Sequence, residues 1–411
     1  MRGDDGLPGR TDRAPAAAWT RHRVPERAAP SGASEARSEM GCFRVGLVIG
    51  ALGPGGSERQ LTELALGLRE RGHVVEVACY DGEGHYDEAL REKGVSVRIM
   101  HGRGKLEKAR LVGEWTKEFR PDVLHGFMKR ASSVAILSKL ATGRVKVVAS
   151  DLSTATYTRR SPALWGALAL FAFADRVVTQ TEANRRSIGL LAPWLRAKTI
   201  VVRNGVDIDR FRPPTARAAG PEGFRFLAVG TVYRLKNPVR LVEAVRLLHE
   251  RRPGFSLTWV GAPGQGGRES PEYREAVRLV ESFGLEGVFR FAGLAKRVED
   301  AYRQHDALVH VSVQEGMPNA VIEAMACGLP LVVSRVADLP LVVREARNGF
   351  VCDETDPAAI AAEMEKMMGL SPGERQEMGE RSRGIAEGWF RRERFVLEVE
   401  NVYAALLGAA R

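Results

Sequence analysis

The chain has 411 residues, 44% of them hydrophobic and 27% charged, which is typical of a soluble globular protein with two domains and two sizeable cores. Its four cysteines (Cys42, Cys79, Cys327 and Cys352) form no C-x-x-C pair. This pattern argues against a disulfide framework or a zinc motif, and it favours a reducing, cytoplasmic compartment.

The net charge of +10 is concentrated in residues 41–213, which hold 28 basic and 18 acidic residues. A one-sided basic domain predicts an anionic partner. The sequence contains no helix-turn-helix, zinc-finger or aromatic RNA-binding pattern, so nucleic acid is not expected as that partner. An anionic membrane surface or a phosphate-bearing lipid fits better. A merely solvated basic face is the alternative.

Residues 1–40 are rich in Arg, Ala, Pro and Gly, lack hydrophobic periodicity, and are predicted to form a disordered tail. Their six acidic residues argue against a transit peptide, and they lack the apolar core of a secretory signal. Met40 directly precedes the first predicted strand, so translation from Met40 is a hypothesis that amino-terminal sequencing would test.

Apolar strands then alternate with helical segments in two successive runs, which predicts two doubly wound α/β domains facing a cleft. The first run has strands predicted at residues 43–50, 74–80, 95–100, 122–127, 145–150, 176–180 and 199–203. The second has them at 224–229, 256–260, 288–292, 307–313, 331–334 and 349–351. Residues 209–215 have linker composition. The predicted units are therefore 41–212, 213–388 and a terminal amphipathic helix in 389–411.

The glycine-rich segment 53–60 follows the first strand and opens a helix. Ser57 and Gln60 predict a capping box, while Gly55 and Gly56 allow a ligand or the opposite domain to approach the backbone. Such a loop suits a phosphate. A dinucleotide site is the competing interpretation, but its G-x-G-x-x-G pattern requires glycine where Glu58 stands, and only Asp81 after the second strand favours it.

Two further features of the first half bear on function. His125 ends a predicted strand, although a lone histidine at such a place is more often a core residue than a catalyst. The apolar run 163–174 ends at Asp175 after twelve residues. It is shorter than the roughly 18 residues of a membrane span, so we predict a buried helix there.

In the second half, the segment 230–237 follows a strand and brings the cations Arg234 and Lys236 to the crevice. Further on, a strand leads into the loop of Glu315, Pro318 starts a helix, and Gly328 ends it. Free amides from about Asn319 to Val321 would attract a phosphate there. Glu323, eight positions after Glu315, could accept hydrogen bonds from a diol such as ribose. An ordinary surface loop and core helix is the alternative.

The pattern E-G-x-P-x-x-x-x-E-A-M-A-x-G-x-P at residues 315–330 resembles the E-x7-E signature of retaining glycosyltransferase family 4, also called glycosyl transferase group 1. Segments 53–59, 122–125, 201–207, 229–230 with 236–237, and 291–293 resemble other parts of that family in the same order. The resemblance covers about residues 43–405. It implies the GT-B fold, in which the terminal helix crosses back to the first domain.

The resemblance also implies roles for particular residues on the donor side. Glu315 would orient the donor hexose and Glu323 the ribose. Lys236 matches the family's lysine, whereas the usual arginine position is Thr231, so Arg234 would take over its role from nearby. The donor-binding residues implied in this way are Gly55, Gly56, Thr231, Gly316, Pro318, Asn319, Ala320 and Glu323.

The acceptor side departs from the family. His125 would be a catalytic residue by this resemblance, but the second histidine common in the family, near the donor sugar and the acceptor, is Phe127 here. Asp151 ends a later strand where many relatives have histidine. Phe127 and Asp151 are therefore expected to contact an acceptor of unusual kind.

The function implied is retaining transfer of a hexose-type sugar from a nucleoside-diphosphate sugar, UDP-linked before GDP-linked, to a lipid-linked or cell-surface polysaccharide acceptor. The leaving phosphate would deprotonate the acceptor hydroxyl, with no cofactor. The donor half has no D-x-D motif, so we expect metal-independent chemistry, and nothing predicts a glycoside hydrolase. The protein would be cytoplasmic or peripheral on the inner face of the membrane. A non-catalytic sugar-nucleotide-binding protein, or a phosphorylase or epimerase of the same fold, are the alternatives.

Overall fold

The computed structural model describes residues 41–143, 145–151, 162–214 and 223–409. The predicted tail at 1–40, including the possible start at Met40, lies outside these residues, as does the end of the predicted linker.

The first domain is a seven-stranded parallel sheet with strand order β3-β2-β1-β4-β5-β6-β7. Its strands are β1 (Arg44–Ile49), β2 (Val74–Cys79), β3 (Ser96–Ile99), β4 (Val123–Gly126), β5 (Lys146–Asp151), β6 (Arg176–Thr179) and β7 (Thr199–Val201). Its helices are α1 (Gly56–Glu70), α2 (Asp87–Glu92), α3 (Gly104–Phe119), α4 (Met128–Thr142), α5 (Pro162–Phe171) and α6 (Glu182–Leu191), followed by a 3₁₀ turn at Pro193–Leu195.

The second domain is a six-stranded parallel sheet with order β10-β9-β8-β11-β12-β13. Its strands are β8 (Phe224–Val229), β9 (Phe255–Val260), β10 (Phe289–Gly293), β11 (Ala307–His310), β12 (Leu331–Ser334) and β13 (Gly349–Cys352). A 3₁₀ turn spans Arg234–Lys236, and the helices are α7 (Pro238–Arg251), α8 (Pro271–Ser282), α9 (Val298–Gln304), α10 (Asn319–Ala326), α11 (Leu339–Ala346), α12 (Pro357–Gly369) and α13 (Pro372–Trp389).

The last helix, α14 (Arg392–Leu407), returns to the first domain and packs against α1. Gly67 of α1 permits close contact, since a Cβ placed there would lie 2.4 Å from a methyl group of Val396. Val396, Val399 and Tyr403 are buried in the same apolar core as β1 and α1. Two doubly wound parallel sheets and a returning terminal helix confirm the predicted fold class.

The strand order reverses between β1 and β4 in the first sheet and between β8 and β11 in the second. Ligands of open parallel sheets bind at such switch points, outside the carboxyl ends of the strands. The glycine-rich loop follows β1, and the loops of Lys236 and Glu315 follow β8 and β11. The fold therefore brings the predicted site residues to the switch points of the two sheets.

The chain crosses between the domains twice, and the two crossings bond to each other. The Val206 amide donates to the Phe390 carbonyl at 2.7 Å, and the Arg392 amide donates to the Val206 carbonyl at 3.0 Å. The two crossings therefore form one short parallel bridge rather than two independent linkers.

The prediction of a buried helix at residues 163–174 was wrong in part. Leu164, Leu168 and Phe171 of this segment are buried, but Trp165 is 42% exposed and Phe173 is 56% exposed. The reason is that α5 covers one face of the sheet and turns its other side outward. Within the described residues, no helix is long and apolar enough to cross a membrane.

Candidate active site

The centre of the site is an ion pair between Lys236 and Glu315. Lys236 ends the 3₁₀ turn after β8, and Glu315 lies in the loop after β11, so the adjacency of these two strands brings the side chains together. The Lys236 Nζ atom lies 2.5 Å from the Glu315 Oε1 atom, and both side chains are largely shielded from solvent. A Lys ammonium has three donors, so this pair still leaves it capacity for a phosphate oxygen.

Sequence reasoning missed a third member of this cluster, His310, the last residue of β11. Its Nε2 atom lies 3.0 Å from the same oxygen of Glu315 and 3.1 Å from the Ser312 hydroxyl. The ring is 3% exposed. The sequence signal for it was a histidine inside the apolar predicted strand 307–313, five positions before Glu315.

The cluster holds Glu315 ionised. Burial would by itself raise the pKa of Glu315, but the Lys236 ammonium and the hydrogen bond from His310 outweigh it and hold that pKa well below its usual range. Burial lowers the pKa of His310, which keeps the imidazole neutral and able to donate one hydrogen bond. Burial also opposes the charge of Lys236, yet Glu315 raises its pKa overall.

The second predicted carboxylate, Glu323, is engaged by protein groups on both oxygens. Arg59 of α1 forms an ion pair with Oε1, and the Tyr302 hydroxyl donates to Oε2 at 2.9 Å. The Glu323 side chain is 5% exposed and that of Arg59 is 23% exposed. The Glu323 carboxylate raises the pKa of Arg59 still further above its ordinary value. Arg59 therefore joins the first domain to the residue expected to hold the ribose.

The predicted capping box at the start of α1 was wrong. Gly55 is the N-cap, and no side chain caps this helix end. Gln60 instead contacts residues far along the chain: its amide nitrogen donates to the Gly205 carbonyl at 2.8 Å, and its carbonyl accepts from the Gly205 amide at 2.8 Å. The Gln60 side chain therefore makes a tertiary contact with Gly205 instead of capping α1.

Asn319 joins the two domains at the mouth of the cleft. Its Nδ2 atom donates to the Gly56 carbonyl at 2.9 Å, and its Oδ1 atom accepts from Asn204 at 2.8 Å and from Gln60 at 3.2 Å. The glycines of this loop allow either a ligand or the opposite domain to approach the backbone. Here the opposite domain does so. The side chain of Asn319 is used in this contact.

Fewer backbone amides are free at the start of α10 than the sequence predicted. The Val321 amide donates to the Pro318 carbonyl at 3.1 Å, so the expectation that it is free was wrong. The helix begins at Asn319 with Pro318 as N-cap, and Gly316 and Pro318 are buried. Asn319 and Ala320 remain the positions from which backbone amides could meet a phosphate.

Thr231 and Arg234 lie in the loop after β8. Thr231 is half-buried directly after Gly230, whereas Arg234 is exposed at the start of the 3₁₀ turn that Lys236 ends. Lys236, at the other end of this turn, makes the ion pair with Glu315. Whether Arg234 takes over the arginine role stays a prediction.

His125 lies in the core of the first domain. Its Nδ1 atom is 2.7 Å from the Tyr403 hydroxyl, and its Nε2 atom is 2.7 Å from the Ser150 hydroxyl. The side chain is 1% exposed, and burial lowers its pKa to about 3. Both ring nitrogens are thus occupied by protein groups, which fits a structural role better than the predicted catalytic one.

Phe127 and Asp151, the predicted acceptor residues, are also buried, at 3% and 0% exposed. Phe127 stacks at a tilt on His125, with ring centroids 4.6 Å apart. Asp151 ends β5, and its Oδ1 atom lies 3.5 Å from the Lys129 ammonium. Both lie at the carboxyl edge of the first sheet, and their contact with an acceptor stays a prediction.

In the described part of the chain, no group of three or more His, Cys, Asp or Glu residues forms a set that could hold a metal ion. The four cysteines are free thiols, and three of them are buried. Among the described residues, the charged and polar side chains brought together by the contacts above include Lys236, Glu315, His310, Arg59 and Glu323.

Two parallel-sheet domains facing a cleft define the GT-B class, and solved structures share this fold. A crystal structure of Anabaena HepE in complex with UDP and glucose is 18% identical, with a TM-score of 0.78, and the alignment covers 88% of this chain and 100% of that one. A crystal structure of WaaG, a glycosyltransferase involved in lipopolysaccharide biosynthesis, is 18% identical, with a TM-score of 0.69 and coverage of 87% and 99%.

Family models match both halves of the chain. The model for Glycosyltransferase Family 4 matches residues 54–210, and the model for Glycosyl transferases group 1 matches residues 223–369. The chain belongs to this glycosyltransferase family, and the predicted family resemblance is confirmed.

Curated relatives match over a shorter stretch. D-inositol 3-phosphate glycosyltransferase of Streptomyces avermitilis is 32% identical over 209 residues, which are 48% of this chain and 45% of that protein. The enzyme of the same name from Actinosynnema mirum is 31% identical over 228 residues, 53% and 54% of the two chains. The alignments span about half the length of these relatives.

Proposed function

We propose that this protein is a retaining glycosyltransferase that moves a hexose-type sugar from a nucleoside-diphosphate sugar to a lipid-linked or cell-surface saccharide acceptor. The observation that carries the proposal is the cluster of Lys236, Glu315 and His310, largely shielded from solvent, at the switch point of the second sheet. An ionised carboxylate fixed beside a cation suits a hexose hydroxyl next to a diphosphate.

The chemistry follows from these groups. As the bond between the sugar and the β-phosphate breaks, negative charge builds on the phosphate, and Lys236 with the α10 amides can stabilise it. Glu315 accepts hydrogen bonds from the hexose and holds it for attack on the same face. The leaving phosphate takes the proton of the acceptor hydroxyl, so the reaction needs neither a protein nucleophile nor a metal.

The donor is proposed to be a UDP-sugar, with GDP-sugars as the second choice. The support is that Anabaena HepE, which shares the fold, was solved in complex with UDP and with UDP-glucose. The ribose would reach Glu323 by displacing the Arg59 guanidinium from Oε1.

The acceptor is proposed to carry an anionic group. The relatives are named for an inositol phosphate acceptor, and the first domain holds the excess of basic residues. A phosphate-bearing polyol, free or lipid-linked, satisfies both observations.

Three observations favour a second function, a sugar-nucleotide-binding protein without catalysis. Arg59 forms an ion pair with Glu323, where the ribose is expected to bind. Thr231 stands in the usual arginine position, and both ring nitrogens of His125 contact protein hydroxyl groups. A phosphorylase or epimerase would use the same donor site and differ in the second substrate.

A thermal-shift screen against UDP-, GDP-, ADP- and dTDP-sugars tests the donor site first. A ligand that binds only the folded state raises the melting temperature. We expect a shift with one nucleotide, lost in Glu323→Ala and kept in the control Glu286→Ala, whose residue is exposed outside the cleft. No shift with any donor would refute the proposed site.

Transfer assays then separate the enzyme from the binder. Lys236→Ala and Glu315→Ala should each lower transfer by roughly tenfold or more. Activity that persists in excess EDTA supports metal-independent chemistry, and loss of activity would refute it. A wild type that shifts with a donor but transfers to no acceptor, water or phosphate supports the non-catalytic function.

A further inference from the structure

The outward side of α5, from Trp165 into the turn that follows the helix, is apolar. Trp165, Ala169 and Phe173 recur at four-residue intervals, all three are exposed, and the segment 163–174 contains no polar or charged side chain. A surface helix of a soluble protein normally turns polar residues outward. This helix therefore presents an apolar stripe to its surroundings.

Two more exposed apolar side chains lie on α6 and on the 3₁₀ turn after it, shortly before Lys198 in the chain. Leu190 at the end of α6 is 74% exposed, and Trp194 in the following 3₁₀ turn is 52% exposed. Lys198 ties this region to the end of α5, because its Nζ atom donates to the Ala172 carbonyl at 2.7 Å and to the Ala174 carbonyl at 3.0 Å. We call Trp165, Ala169, Phe173, Leu190 and Trp194 together the α5 surface.

Cations gather where α5 ends. Lys139 lies 2.5 Å from the Asp175 carboxylate and Lys146 lies 3.7 Å from it, while Arg176 donates to the Asp175 backbone carbonyl at 2.9 Å. Lys198 bonds to the preceding carbonyls, and Arg196 holds the end of α6 through the Gly189 carbonyl at 2.9 Å. Five cations thus lie near the ends of α5 and α6, and two of them, Lys139 and Lys146, share the carboxylate of Asp175.

We infer that the α5 surface lies flat on an anionic lipid bilayer. Large apolar side chains beside lysine and arginine are the composition of an interfacial helix, which buries its apolar side at the headgroup boundary while the cations meet lipid phosphates. A second copy of the chain is disfavoured, since a symmetric contact through this surface would bring like charges face to face.

This placement deepens the acceptor class of the proposed function, on which that part of the inference rests. β5 ends with Asp151 at the carboxyl edge of the first sheet, and the crossover returns through α5, whose first turn therefore lies at the same edge. A bilayer touching Trp165 lies beside the acceptor end of the cleft. The acceptor class that fits is a saccharide or polyol phosphate on a lipid anchor.

Vesicle co-sedimentation of the full chain tests the inference without donor or acceptor. We expect binding to phosphatidylcholine vesicles that contain phosphatidylglycerol, weak binding to pure phosphatidylcholine, and release at high salt. The double variant Leu190→Ser/Trp194→Ser should raise the lipid concentration for half-binding at least about fivefold. The control Phe283→Ser/Leu294→Ser changes two exposed apolar residues of the second domain, 36% and 67% exposed, and should bind as wild type does.

Tryptophan fluorescence locates the contact independently. Brominated phosphatidylcholine mixed into the anionic vesicles should quench the protein, and Trp194→Phe, which keeps an aromatic side chain, should remove part of that quenching. Unchanged quenching in Trp194→Phe together with unchanged binding of the serine double variant would overturn the inference. So would a dimer in sedimentation velocity that the same serine variant dissociates, since a second copy would then cover the surface.

The outcomes also stay separate from those of the proposed function. A donor thermal shift retained by the serine double variant shows that its fold and donor site are intact. Vesicle binding without any sugar transfer would support the membrane-binding role of the α5 surface and would refute only the catalytic proposal.

Discussion

The contact between Arg59 and Glu323 gives the sharpest test of how the domains are held together. Glu323 is 5% exposed, and its two oxygens are engaged by Arg59 and Tyr302. Arg59→Gln keeps a polar side chain of similar reach but removes the charge. The variant leaves the Glu323 carboxyl group in the domain interface with the Tyr302 hydroxyl as its remaining partner.

The magnitude follows from the burial of the two groups. Removing one partner of a buried ion pair costs about 3–5 kcal/mol, and the 23% exposure of Arg59 places this pair at or below the lower end, at about 2–3 kcal/mol. Glu323→Gln should cost less, since the Arg59 side chain can turn toward solvent. In the double variant neither charge remains, so the double-mutant cycle should give a coupling of about 2 kcal/mol.

The assay is urea unfolding of the four proteins without ligand, followed by tryptophan fluorescence and by circular dichroism. Coincident transitions are required before free energies are compared, because two domains can unfold separately. Arg110 and Glu114 provide the control cycle, an exposed pair on α3 with 61% and 56% exposure, whose coupling should be at most about 0.5 kcal/mol. If the Arg59–Glu323 coupling is no larger than that of the control pair, the reasoning is refuted.

The buried His125 predicts a pH effect. In the unfolded chain this histidine binds a proton near pH 6.5, whereas in the folded protein its pKa is about 3 and it stays neutral. Lowering the pH from 7 to 5 should therefore remove about 2 kcal/mol from the free energy of unfolding. His125→Gln should remove that share of the loss in urea titrations at the two pH values, and an identical slope in both proteins would contradict the assignment. His310 should act as a positioning residue for Glu315: His310→Ala should lower kcat for sugar transfer roughly tenfold, with partial rescue by His310→Gln, whose amide can still donate to the carboxylate. Equal kcat values for the two variants would show that this hydrogen bond is not used. Gly67→Ala should destabilise the protein by about 1 kcal/mol, because the added Cβ meets Val396 and the gain in helix propensity offsets only part of the strain. The free energy of unfolding should recover in the double variant with Val396→Ala, and no recovery would place the strain elsewhere.

Most of the fold could be predicted from the sequence, because buried parallel strands need unbroken apolar, β-branched segments. β8 and β12 begin and end where predicted, and most other boundaries shift by one or two residues. β11 is the main exception: it ends at His310, three residues early, since its last predicted residues form the loop that carries the site. An apolar segment identifies a strand, but it does not show where backbone pairing with the neighbouring strand ends.

The candidate site was legible only in part. Lys236 and Glu315 were predicted individually, and their contact follows from strand order, which the sequence does not state. Arg59 on Glu323 and Gln60 on Gly205 could not be predicted, because each joins segments more than a hundred residues apart. The exposed side of α5 was missed for a different reason. A twelve-residue apolar run is too short for a span, and its length says nothing about which side the domain covers.

The return of α14 to the first domain has a consequence for synthesis of the chain on the ribosome. Val396, Val399 and Tyr403 close a core whose first strand begins at residue 44, so that core lacks one wall until α14 has left the exit tunnel. At about 5–20 residues per second, the second domain and α14 take roughly ten to forty seconds to be made. During that interval the nascent first domain exposes the apolar groove of α1, while the second domain can already complete its own core. The order in which the two cores close is therefore opposite to their order along the chain.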